Sequence, residues 1–142
     1  MKRFAYLVLL LSLTGCTPTM NTVDRLTQQT LTIKGQQVIV DVATTPSQQQ
    51  QGLSGREQLA EGTGMLFVFP VPAIQTFWMK DMQFPIDILW IADHRVIGIE
   101  PAVAADDGLR RYSSPFAVDE VLELPAGWVQ RYSVRLGDEI RE

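Results

Sequence analysis

The chain has 142 residues, with 12 basic and 16 acidic side chains for a formal net charge of −4, and only one histidine and one cysteine. That length holds one domain. The acidic balance, with no basic cluster beyond Arg110-Arg111, argues against a nucleic-acid surface, and a single His is too few for a histidine-based zinc site.

Lys2 and Arg3 open the chain with positive charge, residues 4–11 form an unbroken apolar run, and Ser12-Leu13-Thr14-Gly15-Cys16 closes it with small residues before a cysteine. The run is well short of the roughly 20 residues that a helix needs to cross a bilayer. A charged start, a short apolar centre and a small-residue exit describe a secretory signal. The competing reading, a buried helix that ends in Gly-Cys, leaves unexplained why no polar face interrupts the run.

Leu13-Thr14-Gly15-Cys16 resembles the lipobox of bacterial lipoproteins. The resemblance implies that residues 1–15 are removed and that the Cys16 thiol carries the lipid, which anchors the chain in the bacterial envelope, facing the periplasm. Thr17 after the lipidated residue, where aspartate would be the retention signal, resembles lipoproteins sent to the outer membrane in enteric-type bacteria. Lipidation consumes the single thiol, so the mature chain has no internal disulfide in its oxidising compartment. Loss of Lys2 and Arg3 leaves 10 basic against 16 acidic residues, about −6. A domain so acidic is poorly suited to lying on anionic lipid, so the tether is expected to hold the membrane, by burying acyl methylenes.

Residues 17–29 are rich in Thr, Gln and Asn and show neither a strand nor a helix period. They read as a tether that spans on the order of 20 Å as a coil. The layout is thus a signal peptide over 1–15, lipidated Cys16 and tether over 16–30, and one compact domain over 31–142. Leu31-Thr32-Ile33 and Val38-Ile39-Val40-Asp41-Val42 flank Lys34-Gly35-Gln36, a hairpin signal. Thr45 as N-cap and Pro46 at the first helical position start a short helix that Gly52 and Gly55 interrupt. Leu66-Phe67-Val68-Phe69 is a strand that Pro70 and Pro72 should stop. Thr76-Phe77-Trp78-Met79 is another. Ile86-Asp87-Ile88-Leu89-Trp90-Ile91 and Val96-Ile97-Gly98-Ile99-Glu100 form a hairpin about Ala92-Asp93-His94-Arg95. Residues 104–115 read as a loop and 118–124 as a strand. Pro125-Ala126-Gly127 opens a short helix to about Tyr132, and Val134-Arg135-Leu136, Gly137-Asp138 and Ile140 finish the domain. The fold class is mainly β, α+β at the margin: a small antiparallel sheet or barrel with one or two short helices.

Several chemistries are excluded. Lipidation leaves no cysteine nucleophile, and His94, in a turn, would have to carry any triad alone. No phosphate loop or dinucleotide fingerprint is present, and no cofactor is implied. Asp106-Asp107-Gly108 lacks the alternating ligands of a calcium loop and reads as a turn. No metal site is expected.

What remains is polar residues in apolar context. Asp87 lies on the opposite strand face from Ile86, Ile88 and Trp90, and Glu123 faces away from Leu122 and Leu124. Either they stand on the solvent face of a one-sided sheet, or they face a pocket, paired with Arg56 or Lys80 beside Trp78 and Tyr112. In the second case they could also be the acid–base pair of a glycoside hydrolase, if their carboxyl groups flank one cleft about 5–9.5 Å apart.

Gly52-Leu53-Ser54-Gly55-Arg56, Gly64-Met65-Leu66-Phe67, Phe77-Trp78-Met79-Lys80, Pro85-Ile86-Asp87-Ile88, Val121-Leu122-Glu123-Leu124-Pro125-Ala126-Gly127 and Gly137-Asp138 together resemble the prokaryotic family called domain of unknown function 192. The resemblance covers residues 31–140. It implies a compact, mainly β domain, often exported and frequently behind a signal or lipid anchor, and supplies no reaction. Its polar pattern falls on Arg56, Lys80, Asp87, Tyr112, Ser113 and Glu123, with Trp78 alongside. Three roles are then expected in order: a non-catalytic, lipid-anchored binding or accessory module for a small polar ligand or envelope component; a carboxylate hydrolase of envelope glycan using Asp87 and Glu123; or a structural protein whose Phe77, Trp78 and Trp90 are only core.

Overall fold

The computed structural model describes residues 25–105 and 108–142. The leader, Cys16, most of the tether and the Asp106-Asp107 pair lie outside the described residues. Among the described residues nine strands and two short helices make one curled sheet and a small ribbon laid across it. The strands are β1 (Thr27–Ile33), β2 (Gln36–Ala43), β3 (Thr63–Ala73), β4 (Thr76–Phe77), β5 (Ile86–Ala92), β6 (Arg95–Val103), β7 (Tyr112–Ser113), β8 (Val118–Pro125) and β9 (Ile140–Arg141). Helix α1 (Pro46–Gln51) lies between β2 and β3, and α2 (Trp128–Tyr132) follows β8. The large sheet runs β6-β5-β8-β3-β2-β1-β9, and β4 pairs with β7. The mainly β fold expected from the sequence is what forms. Strand pairing begins four residues sooner than expected, at Thr27, within the segment read as tether.

Every join of the large sheet is antiparallel except β2–β3, which is parallel. A parallel join needs a crossover, and residues 44–62 with α1 supply it. At the sheet's two ends, Val96 N–H donates to the Asp138 carbonyl (3.0 Å), Gly137 N–H to Val96 (2.7 Å) and Ile140 N–H to His94 (2.8 Å). These bonds curl the sheet into a half-barrel pinned where its two ends meet.

Curling gives the sheet an inner and an outer face. The inner face is filled by Leu31, Val40, Leu66, Leu89, Leu122, Leu124 and Ile140, with Trp128 and Val129 of α2 packed among them. The outer face carries Met65, Phe67, Ile86, Ile88, Trp90 and Val121, covered by Leu53 of the crossover, Met79, and Tyr112 of the ribbon. Strands β3, β8 and β5 are therefore covered on both faces, which is why 86–91 are apolar almost without a break and all buried. Strand β2, between β3 and β1, keeps the alternation of a one-sided strand over much of its length.

The turns follow their chemistry. Lys34 (φ 53°) and Gly35 (φ 77°) make a two-residue hairpin turn, and Asp93 (φ 49°) and His94 (φ 57°) make the other. Thr45 caps α1 in a reciprocal box with Gln48. Two expectations fail for one reason. Pro70 and Pro72 do not end β3, because β2 leaves it after Phe67 and the register against β8 slips between Val68 and Ala73. A proline tolerates that stretch because few ladder donors are needed there. Strand β4 stops at Phe77 instead of Met79, since its partner β7 is only two residues long.

Candidate functional site

The outer face holds a cleft of about 320 Å³. One wall is the crossover. The buried Gln48 Oε1 accepts from Thr44 N–H (3.0 Å) and Thr45 N–H (3.1 Å), and Gln49 Nε2 donates to the Val68 carbonyl (2.8 Å), which fixes α1 on β3. At Gly52 the chain turns with φ 49°, and a side chain there would meet the Phe67 ring at 3.4 Å. The opposite wall is Gln75, Thr76, Phe77, Trp78 and Met82. Ser54 Oγ donates to the Lys80 carbonyl (2.9 Å) and Gly55 N–H to Asp81 (2.9 Å), so the two walls are sewn together at one end. Phe67, Phe69 and Glu123 form the floor. Phe77 stands edge-on to both Phe67 (4.9 Å) and Trp90 (5.7 Å), an arrangement that holds aromatic walls rigid.

Polar groups in the lining are primary amides and hydroxyls: Gln49, Gln50, Gln51, Gln75, Ser54 and Thr76. Among the described residues no lysine, arginine or aspartate lines the cleft. Among the described residues the side-chain amides of Gln50 and Gln75 have no hydrogen-bond partner, whereas Gln51 donates to the Ser54 carbonyl (2.8 Å). Trp78, 44% exposed, takes the Arg111 guanidinium over its ring at 4.5 Å, which holds the indole upright at the mouth.

Among the described residues Glu123 is the one carboxyl group that lines the cleft. It sits in the row Asp41–Met65–Glu123–Ile88 across β2, β3, β8 and β5. It is buried, and burial pushes its carboxyl up to about 8, against the opposing pull of the Arg56 charge. Arg56 is ion-paired with Asp41 at 2.8 Å, so its charge reaches Glu123 only from beyond that pair. At neutral pH the floor of the cleft is mostly a neutral carboxylic acid, able to donate as well as accept.

The candidates from sequence are thus divided. Trp78 and Glu123 share the cleft, and Arg56 stands behind it on Asp41. Tyr112 is buried under the ribbon with Arg110 over its ring at 4.9 Å, and Ser113 Oγ shares a hydrogen bond with Thr76 Oγ (2.9 Å), bracing the wall without lining it. Lys80 is exposed and contributes its carbonyl to the seam.

Asp87 is elsewhere. It is 0% exposed, and its oxygens accept from Ala102 N–H (2.7 Å), Gly127 N–H (3.2 Å) and Val129 N–H (2.8 Å). Neither the solvent face nor a pocket with Arg56 or Lys80 describes it. The strand pairs Asp87 with Leu124 and Ile88 with Glu123, so Asp87 and Glu123 point to opposite faces. The glycosidase pair is thereby ruled out: no single bond can lie between them. The core-only reading of the aromatics fits Trp90 (1% exposed) but not Trp78. Sequence reasoning missed Phe67, Phe69 and the glutamines; the run Gln48-Gln49-Gln50-Gln51 was the available signal. Among the described residues no three His, Cys, Asp or Glu side chains are placed to hold a metal, and no helix is long and apolar enough to cross a membrane.

Fold and cleft together define a curled-sheet domain with a rigid amide- and aromatic-lined groove on its outer face. The chain belongs to the DUF192 family, described as "Uncharacterized ACR", whose pattern matches residues 29–142. Two solved structures share the fold. A candidate transcription regulator from Sinorhizobium meliloti 1021 is 35% identical with a TM-score of 0.75, over 82% of this chain and 95% of its own. A protein of unknown function from Novosphingobium aromaticivorans DSM 12444 is 26% identical with a TM-score of 0.77, over 90% of this chain and 94% of its own. No curated protein matches the chain.

Proposed function

We propose that the protein is a lipid-anchored, non-catalytic binding module of the bacterial envelope, whose cleft holds a neutral ligand rich in hydroxyl and amide groups, such as an N-acetylated glycan fragment. The observation that carries the ligand class is the lining. Aromatic faces, unengaged amides and a neutral acid suit an uncharged polar molecule, and among the described residues the cation nearest the lining, Arg111, is stacked on the Trp78 ring at the mouth. The lipobox at Cys16 supports the location. A role in transcription, suggested by the description of the S. meliloti protein, gains no support from a chain with 16 acidic and 12 basic residues and no basic stripe.

Three tryptophans are present, and Trp90 and Trp128 are buried at 1% and 4% exposure, so Trp78 reports on the cleft by fluorescence. Titration with neutral N-acetylated envelope saccharides should shift its emission, and Trp78→Ala should abolish binding while costing under about 1 kcal/mol of stability. Saturable binding of charged fragments instead, or of none of the neutral ones, removes this reading.

A further inference from the structure

Eight exposed residues beside the cleft are all apolar. Pro70, Val71, Pro72, Ala73 and Ile74 end β3 and turn toward β4, and Pro115, Phe116 and Ala117 link β7 to β8; every one is exposed. Val71 is 71%, Ile74 56% and Phe116 69% exposed. The two segments lie side by side: Ala73 pairs with Val118, Ser114 N–H donates to the Gln75 carbonyl (2.9 Å), Gln75 N–H donates to Ser114 Oγ (3.0 Å), and that hydroxyl donates to the Phe116 carbonyl (2.7 Å). The patch is therefore contiguous and braced. Contiguous exposed apolar surface of this kind marks an interaction site.

Position and charge select the occupant. β1 is antiparallel to β2, and β2 is parallel to β3, so the chain that precedes Thr27 and the extension of β3 past Phe67 leave the sheet in the same direction. Only residues 17–26 separate Cys16 from Thr27, a length of chain that cannot exceed about 40 Å in any conformation. The segments that build the patch, 62–79 and 108–118, contain no Asp or Glu, although the chain has 16, and they contribute Arg110 and Arg111. Net charge argued against contact with anionic lipid, but the charge is unevenly spread, and this end of the domain is apolar with a cationic flank.

We propose that residues 70–74 and 115–117 insert into the interfacial layer of the bilayer that carries the anchor, with Arg110 and Arg111 at the headgroups, so that the cleft opens beside the membrane surface. The location rests on the anchoring reading above; the insertion itself does not. Because Cys16 is consumed by lipid, a cysteine placed at Ile74, Phe116 or, at the far end of β1–β2, Gln36 is the only thiol for an environment-sensitive dye. Lipidated full-chain variants are reconstituted in phosphatidylethanolamine–phosphatidylglycerol vesicles. The Ile74→Cys and Phe116→Cys labels should shift to the blue with a several-fold rise in intensity and be quenched by nitroxide-labelled acyl chains, and the Gln36→Cys label should do neither. Equal behaviour at all three positions overturns the proposal, as does no response at any. A shift that vanishes at one copy per vesicle assigns the patch to a second copy of the chain and also overturns it. If mass spectrometry finds Cys16 bare, the anchor fails separately; vesicles are then added to protein carrying the same labels beside Cys16→Ser, and the same dependence on position is expected.

Discussion

Asp87 and Glu123 stand one residue out of step on neighbouring strands, both buried, yet they are opposite kinds of carboxyl group. Asp87 faces inward and receives three backbone N–H groups, two of them at the start of α2, whose first turn would otherwise leave those donors without partners. Glu123 faces outward, receives no hydrogen bond among the described residues, and borders the cleft. Burial alone predicts neither role. What separates a clamp from a binding group is whether the protein itself supplies the partners.

The comparison breaks most visibly at Asp87. Asp87→Ala leaves three donors around a buried void and should cost roughly 3–5 kcal/mol, read by urea unfolding, with α2 the first element to lose amide protection. At Glu123 the sign is reversed. Its folded-state value near 8 lies above the ordinary 4.5, so the folded protein holds a proton that the unfolded chain has released. The stabilisation is complete below pH 4.5 and is lost as pH rises through 8. Glu123→Gln should therefore be more stable than the parent by roughly 4 kcal/mol at pH 8, with the gap closing toward pH 4.5 in parallel melts. A constant gap across that range would mean that the carboxyl is already ionised in the folded protein. The smallest effect sharpens the contrast from the cleft's wall. Thr45→Ala removes the cap that fixes α1 and should cost about 1 kcal/mol, while weakening ligand affinity more than Asp87→Asn does.

Much of this was legible in the residues themselves. The helix start at Thr45-Pro46, both hairpin turns and strands β5, β6 and β8 follow from local chemistry and periodicity, whereas β7 (Tyr112–Ser113) forms inside the stretch 104–115 that reads as a loop, because its partner β4 is far away in sequence. Alternation also placed Asp87 correctly against Ile86 and Ile88. It could not say that both sides of β5 are buried, because that depends on the sheet curling until its ends meet, a property of residues far apart in sequence. For the same reason Pro70 and Pro72 misled: a proline's cost in a strand depends on whether a neighbour needs its missing donor, and β2 had already departed. The cleft is assembled from 49–54, 67–69, 75–82 and 123, and only Trp78 and Glu123 stood out from their local surroundings.

The seam that closes the sheet has a consequence for how the chain matures. Ile33 pairs with Ile140, and the carbonyl of His94 waits for the N–H of that same late residue. Nearly the whole domain must be available before its first hairpin finds its last neighbour, a non-local order of events that makes folding slow. A polypeptide built this way stays open until its tail arrives.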